Sequence, residues 1–262
     1  MFARKPYSSD LNTVEWNKIR RLLPLAKPGG RHRSVCLREV FNAILYRLAN
    51  GCKWKDLPHD FPPYQTVYEY YNTWLKTGVW EHLHQLIAAR YRRERGRAAT
   101  PSAGSIDSQS VKSANTARET GYDAGKKVKG RKRHIFVDTQ GIPHKVKVHR
   151  ADIQDRDGGK LLLNEAKPLL PRLEKIWADG GYAGQFIDWA KQECQYKVEV
   201  VKKLAGTIGF AVIPRRWVVE RTFAWLNSDR LLDKEHETRA KASEIDIYAA
   251  SLRRLLRLHP AI

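Results

Sequence analysis

Cysteine is scarce in this chain. Cys36, Cys52 and Cys194 are far apart, odd in number and form no CxxC pair. That spacing excludes a disulfide framework and a zinc ribbon, and it fits a reducing cytosolic compartment. His82 and His84 have no thiols near them and point to different faces of a helix, so they make no metal site either. No apolar run approaches the length of a membrane span, and the opening MFARKPYSSD lacks the apolar centre of a signal peptide. The expectation is a soluble protein of the cell interior with no membrane partner. There is no internal repeat and no low-complexity tract. Acidic residues are the other shortage: 28 Asp and Glu stand against 48 Lys and Arg in 262 residues, a net charge of +20. On a chain with ordinary apolar content this excess points to a polyanionic partner, nucleic acid before an anionic membrane. The alternative is a merely basic solvated surface.

Residues 1–98 read as helical. Asn12 with Glu15 forms a capping box opening a helix that Pro24 closes. Ser34 caps a second helix with Leu37, Val40, Phe41, Ile44, Leu45 and Leu48 on one face, and Asn50-Gly51 ends it in a left-handed turn. Thr66 with Glu69 makes another capping box, Gly78 is a stop, and a fourth helix from about Trp80 ends in ARYRRERGR. The two helices around the WKDLPHDFPPYQ connection resemble a helix-turn-helix, with 66–76 as the exposed second helix. Tyr68, Tyr70 and Tyr71 are then either core or a dimer contact, and residues 1–98 are expected to bind DNA or dimerise. Residues 93–104 read as a linker. Residues 99–262 change pattern. Strands are expected at SAGSID, on both sides of a turn at 140–143, at KIWADGG and at YKVEVVKK. Helices are expected over 156–170, capped by Asp155 and buried through Leu161, Leu162, Leu163 and Ala166, over 183–194, and at RRWVVERTFAWLN. The order β-β-β-α-β-α-β-α implies a mixed α/β, or α+β, fold: a five-stranded mixed sheet flanked by helices and preceded by an all-helical region.

Three carboxylates stand out in that order. Asp107 follows Ile106 in SIDSQSVK, Asp179 ends the KIWAD strand ahead of Gly180-Gly181, and Glu220 lies in the last of these helices between Trp217 and Phe223, where partial burial is expected. Singly, each has an ordinary reading: a strand-end Asp, a turn Asp, and a helix salt bridge from Glu220 to Arg216. Together they suit phosphodiester chemistry. Two Mg²⁺ ions held by a few carboxylates activate the attacking oxygen and stabilise the leaving one.

The blocks IDSQSVKSA, GYDAGKKVKGRKRHIFVDTQG, HRADIQDRDG, WADGGYAG and PRRWVVERTFAWL resemble those of the DDE transposases of bacterial insertion sequences, in the compact subgroup with an RNase H-like catalytic domain. NAILYRLANGCKWKDLPHDFPPYQTVYEYYNTWLKTGVW resembles the helical front domain of the same subgroup. The resemblance implies Asp107, Asp179 and Glu220 as catalytic and metal-binding triad, and two Mg²⁺ ions, with Mn²⁺ able to substitute. It also implies a homodimer or higher oligomer on transposon terminal inverted repeats and target DNA, in the bacterial cytoplasm and associated with the nucleoid. The pattern departs from many relatives at Ile213 and Asn227, where Tyr and Lys are usual. Forty residues separate Asp179 from Glu220, which leaves no room for a large insertion domain.

GKKVKGRKRH, residues 125–134, holds six Lys or Arg and no acid. Lys112, Lys126, Lys127, Lys129, Arg131, Lys132 and Arg133 are expected to contact DNA phosphates, with Lys202, Lys203, Arg215 and Arg216 extending the same surface. Arg253, Arg254 and Arg257 fit a solvated C-terminal helix. Trp217 and Trp225 suit core packing better than base stacking. The expectation is a transposase. The alternatives are an RNase H-like nuclease that cuts without joining, and a catalytically silent DNA-binding derivative.

Overall fold

The computed structural model describes residues 4–26, 29, 33–201 and 216–258. Its N-terminal part is helical, as capping and apolar spacing predict. α1 (Thr13–Ile19) opens on the Asn12–Glu15 capping box but stops short of Pro24. α2 (Leu37–Asn50) begins after Cys36 without a side-chain cap, so Ser34 does not cap it. It ends on Gly51 at φ 68°, the left-handed conformation glycine adopts without strain. α3 (Tyr64–Lys76) starts directly after Pro63, which leaves Thr66 and Glu69 inside the helix rather than capping it. A proline at a helix start gives up only an N–H that has no helical partner. α4 (Val79–Glu94) follows Gly78. The tyrosines of α3 divide: Tyr71 is buried and donates to Asp246 at 2.9 Å, whereas Tyr68 is exposed.

Among the described residues the sheet has six strands where five were expected: β1 (Ala103–Lys112), β2 (Gly121–Asp123), β3 (Val128–Asp138), β4 (Pro143–Arg150), β5 (Lys175–Ala178) and β6 (Lys197–Val200). The extra strand, β2, is three residues of GYD. It is too short to show alternation in sequence and forms only by pairing with the start of β3. β4 takes the rest of that edge of β3, so the pairing runs β4-β3-β1-β5-β6. β1 is antiparallel to β3 and parallel to β5, and β5 is parallel to β6. α5 (Asp155–Ala166) and α6 (Gln185–Cys194) cover one face. α7 (Trp217–Leu226) and α8 (Ala240–Leu258) cover the other. Asp155 is the first residue of α5, not its cap, and Leu161 faces outward.

Two apolar clusters result. One lies under α5 and α6 and contains Ile106, Phe136, Leu162, Ile176 and Phe186. The other joins α7, α8 and the opposite face of the sheet (Ile135, Val137, Val146, Val148) to the N-terminal helices through Phe41, Trp80 and Leu83. α8 is therefore the inner helix of the molecule, not a solvated one. Two of its polar side chains find partners on β4. Tyr248 Oη accepts from the Val146 N–H at 3.0 Å, and Glu244 Oε1 from the Val148 N–H at 3.1 Å. These are alternate outward N–H groups of the edge strand β4, so α8 closes an edge that would otherwise invite pairing with another chain. Among the described residues no helix is long and apolar enough to cross a membrane.

Candidate active site

Strand register brings the first two acids together. Ser105 of β1 pairs with Trp177 of the parallel β5. Continuing that register by two residues sets Asp107 beside Asp179, the first residue beyond β5. Asp179 turns the chain by accepting from the Gly181 N–H at 2.9 Å. Side chains alternate along a strand. Asp107, opposite Ile135 of β3, therefore lies on the α7 side, and its neighbour Ser108, opposite His134, lies on the α5 side.

The third acid arrives through an arginine. Arg216, one residue ahead of α7, bonds Glu220 Oε1 through Nη2 and places Nη1 3.5 Å from Asp107 Oδ2. The helix salt bridge foreseen as the ordinary reading of Glu220 is thus present, and the same guanidinium reaches the strand carboxylate. Glu220 itself is not partly buried as expected. Its side chain is 44% exposed, because α7 turns Val218, Val219, Thr222, Phe223 and Leu226 inward and leaves Trp217, Glu220 and Arg221 on the outer arc.

Asp107 carries the strain of this arrangement. Burial first, then the charge of Asp179, push its carboxyl from 3.8 up to about 7, against the opposing pull of the Ser108 N–H, Arg216 and Lys126. On the other side of β1 a second network supports the strand. Asp155 Oδ1 accepts from Ser108 Oγ at 2.8 Å and from Lys132 Nζ at 2.9 Å. Gly181 lies between the carboxylates of Asp155 and Asp179: a Cβ there would sit 3.3 Å from the first and 3.1 Å from the second. Sequence reasoning took Asp155 for a helix cap. The signal that could have marked it is the density of acids in HRADIQDRDG. Behind it, His134 and His149 stack with Nδ1 and Nε2 2.8 Å apart. The Arg150 carbonyl accepts from His149 Nδ1, which leaves His149 Nε2 to accept from His134 Nδ1. Burial lowers the pKa of both rings, so the pair is neutral.

The basic residues separate by face. Lys112, Lys126, Lys127 and Lys129 are exposed, and Lys126 Nζ donates to the Ser108 carbonyl at 3.2 Å and hydroxyl at 3.3 Å. Arg131, Lys132 and Arg133 are not surface cations. Arg131 is 0% and Arg133 1% exposed. Arg131 donates to the carbonyls of Arg118, Glu237 and Thr238, and Arg133 to Glu235 and the Leu232 carbonyl. Lys132 turns to the opposite face, toward Asp155 and Asp123. The run is basic throughout, but strand alternation sends these three into two covered faces, where each buried charge finds partners. Buried and paired in this way, the three offer no surface to DNA phosphates, contrary to expectation. Lys202, Lys203 and Arg215 lie outside the described residues, as does Ile213. Arg216 points at carboxylates.

Among the described residues, no three His, Cys, Asp or Glu side chains stand close enough together to hold a metal ion. The chemistry of the donor set nevertheless suits a hard divalent cation. Asp107 and Asp179 are adjacent oxygen donors whose mutual repulsion a cation would relieve. Glu220 is a third donor, tied to the same place through Arg216.

Residues 98–252 match the family model described as "Transposase DDE domain", and residues 11–84 match "Putative transposase of IS4/5 family". The chain is 29% identical over 116 residues to "Insertion element IS402 uncharacterized 16.2 kDa protein" of Burkholderia cepacia, covering 40% of this chain and 75% of that protein. It is 30% identical over 131 residues to "Putative transposase for insertion sequence element IS402" of the same organism, covering 47% of this chain and 59% of the relative. It is 28% identical over 78 residues to "Uncharacterized protein y4sN" of Sinorhizobium fredii, covering 30% of this chain and 62% of that protein. No solved structure matches the chain.

Proposed function

The chain belongs to the transposase DDE domain family, and from that premise we propose that it cuts DNA at the ends of an insertion element and joins the freed 3′-OH to target DNA. Asp107, Asp179 and Glu220 are the catalytic acids of this reading. The observation that carries it is the convergence of a carboxylate inside β1 and one just past the end of the neighbouring β5 with a helix whose Glu220 is bound to the same arginine as Asp107. When bound there, Mg²⁺ or Mn²⁺ would supply Lewis acidity at the phosphorus oxygens and lower the pKa of the attacking water.

The chain's own groups do the rest. The two strand carboxylates, unlike a lone surface Asp, are set by backbone pairing and keep a fixed separation. Arg216 holds Glu220 and Asp107 in reach of one another, and its charge is available to a phosphate once the acids are otherwise engaged. Lys126, fixed on the Ser108 carbonyl, adds positive charge at the edge where DNA would approach, and Lys127 and Lys129 continue it. The protein acts as a homodimer or larger assembly on DNA, in the bacterial cytoplasm.

The test is a duplex carrying the ends of the element that flank this gene, incubated with and without Mg²⁺ or Mn²⁺ and resolved on a denaturing gel. Metal-dependent nicking and joining are expected, lost in Asp107→Asn, Asp179→Asn and Glu220→Gln while duplex binding remains. Cutting at the normal rate by any of the three variants removes that residue from the triad. Cutting without joining makes the protein a nuclease, and binding without cutting makes it a DNA-binding derivative.

A further inference from the structure

α7 presents a second feature that the triad does not use. Its outward arc runs Trp217, Glu220, Arg221, Ala224, Trp225, the i, i+3, i+4, i+7, i+8 pattern of one helix face. The Arg221 guanidinium lies 4.4 Å from the ring centroid of Trp217 and 4.4 Å from that of Trp225. Arg254, from the C-terminal half of α8, lies 3.4 Å from the Trp225 centroid. Beside them Arg95, just beyond α4, covers Tyr91 at 3.6 Å, and the Tyr91 hydroxyl is near enough to act on both Arg221 and Arg254. Three segments remote in sequence thus build one ladder of cations on aromatic rings.

The ladder lacks anions. Among the described residues neither Arg221 nor Arg254 has a carboxylate partner. Arg221 gives one bond to the Gln140 carbonyl at 3.1 Å, and its Nε is buried without an acceptor. The two guanidiniums repel each other. A cavity of about 260 Å³ opens beside them, lined by Trp225, Ser228, Asp229, Arg253, Arg254 and Arg257. Its single acid, Asp229, is already bound to Arg253. Stacking removes part of the hydration of a guanidinium while leaving outward N–H groups without a carboxylate, which suits contact to phosphate.

We propose that Arg221 and Arg254, held on Trp217 and Trp225, form a clamp for DNA backbone phosphates flanking the scissile bond. The proposal rests on the reading of this chain as a DNA-cutting enzyme and adds a surface to it. Position favours DNA over another protein. The five-residue step from Glu220 to Trp225 is about 7.5 Å of helix, or about two base-pair steps of duplex. A duplex presented to Glu220 and following the axis of α7 runs over the ladder. Trp225 already carries two guanidiniums, so it orients cations and does not stack on a base. The contact is to phosphate and independent of sequence.

Salt dependence of duplex binding counts such contacts. The measurement is fluorescence anisotropy of a labelled duplex from low to moderate salt, with wild type, Arg221→Gln/Arg254→Gln, Arg221→Lys/Arg254→Lys, and Lys126→Ala/Lys127→Ala/Lys129→Ala. The Gln pair is expected to flatten the plot of log K against log salt by about 2, at roughly 0.9 per lost contact. The Lys pair, which keeps the charge, should hold the wild-type slope, a rescue that a purely structural role would not give. An unchanged slope in the Gln pair, with a flattened one in the Lys126 triple variant, overturns the clamp and leaves DNA binding intact. Equal flattening in the Lys and Gln pairs also overturns it, as does an unchanged slope with an altered oligomeric mass in sedimentation, which would make the ladder a protein contact. Failure of the wild type to bind the duplex at any salt would overturn the DNA-cutting reading itself, and wild-type binding with no salt dependence would overturn the clamp by removing phosphate contacts altogether.

Discussion

Asp138→Asn tests the joint between the N-terminal helices and the sheet. Asp138 ends β3 and is 1% exposed. Its Oδ2 takes the Arg92 guanidinium of α4 and lies 3.2 Å from His144 Nε2. Its Oδ1 accepts from the Gln140 N–H at 2.9 Å and the Ile142 N–H at 3.0 Å, which shapes the turn into β4. Burial alone would raise this carboxyl, but His144, Arg92 and the Ile142 N–H more than offset it and lower it from 3.8 to about 2. A lowered folded-state pKa stabilises above the unfolded value, and the stabilisation is lost as pH falls through the folded one. At 1.36 kcal/mol per pH unit, the 3.8-to-2 difference amounts to about 2.4 kcal/mol, present above pH 4 and gone near pH 2.

Asparagine keeps an oxygen for the two N–H groups but leaves the buried Arg92 without a counter-charge. Breaking a buried pair in this way costs about 3–5 kcal/mol, a large part of a typical folding free energy. Urea unfolding followed by tryptophan fluorescence, repeated between pH 7 and pH 2.5, measures both effects. The variant should lose about 3–5 kcal/mol at pH 7 and show a flatter acid limb than wild type. Arg92→Leu/Asp138→Asn should recover part of the loss, because no lone charge remains inside. A single variant less than about 1 kcal/mol weaker at pH 7, with the wild-type acid limb intact, would refute the argument.

Arg216→Gln frees both Glu220 and Asp107 and should cut the cleavage rate by about 10–100-fold, the usual effect of removing a group that orients site carboxylates. Single-turnover gel assays measure it, and an unchanged rate would separate Arg216 from the site. Gly158→Ala would put a Cβ 2.4 Å from both His134 Cε1 and His149 Nε2. The overpacked α5 should lose about 1–3 kcal/mol in thermal or urea unfolding. Lys126→Ala should flatten the salt dependence of duplex binding by about 0.9, with unfolding midpoints close to wild type.

The sequence by itself determined the local elements. Helix stops at Gly51 and Gly78, the Asn12–Glu15 capping box, and five of the six strands follow from turn residues and alternation, which depend on neighbours a few positions away. Composition pointed to a polyanionic partner, and the blocks around Asp107, Asp179 and Glu220 pointed to the family. Tertiary structure decided which side of each element would be covered. GKKVKGRKRH is uniformly basic, yet Arg133 is internal because Glu235, 102 positions later, meets it. Glu244 of α8 is buried because β4 offers it the Val148 N–H. Asp155 bonds Ser108 and Lys132 and does not cap α5, because α5 starts against β1. Arg216 bridges Glu220 to Asp107 only once α7 lies on β1. Periodicity tells how a segment folds. Burial of a charge is settled by the long-range partner that satisfies it, and no window of sequence contains both.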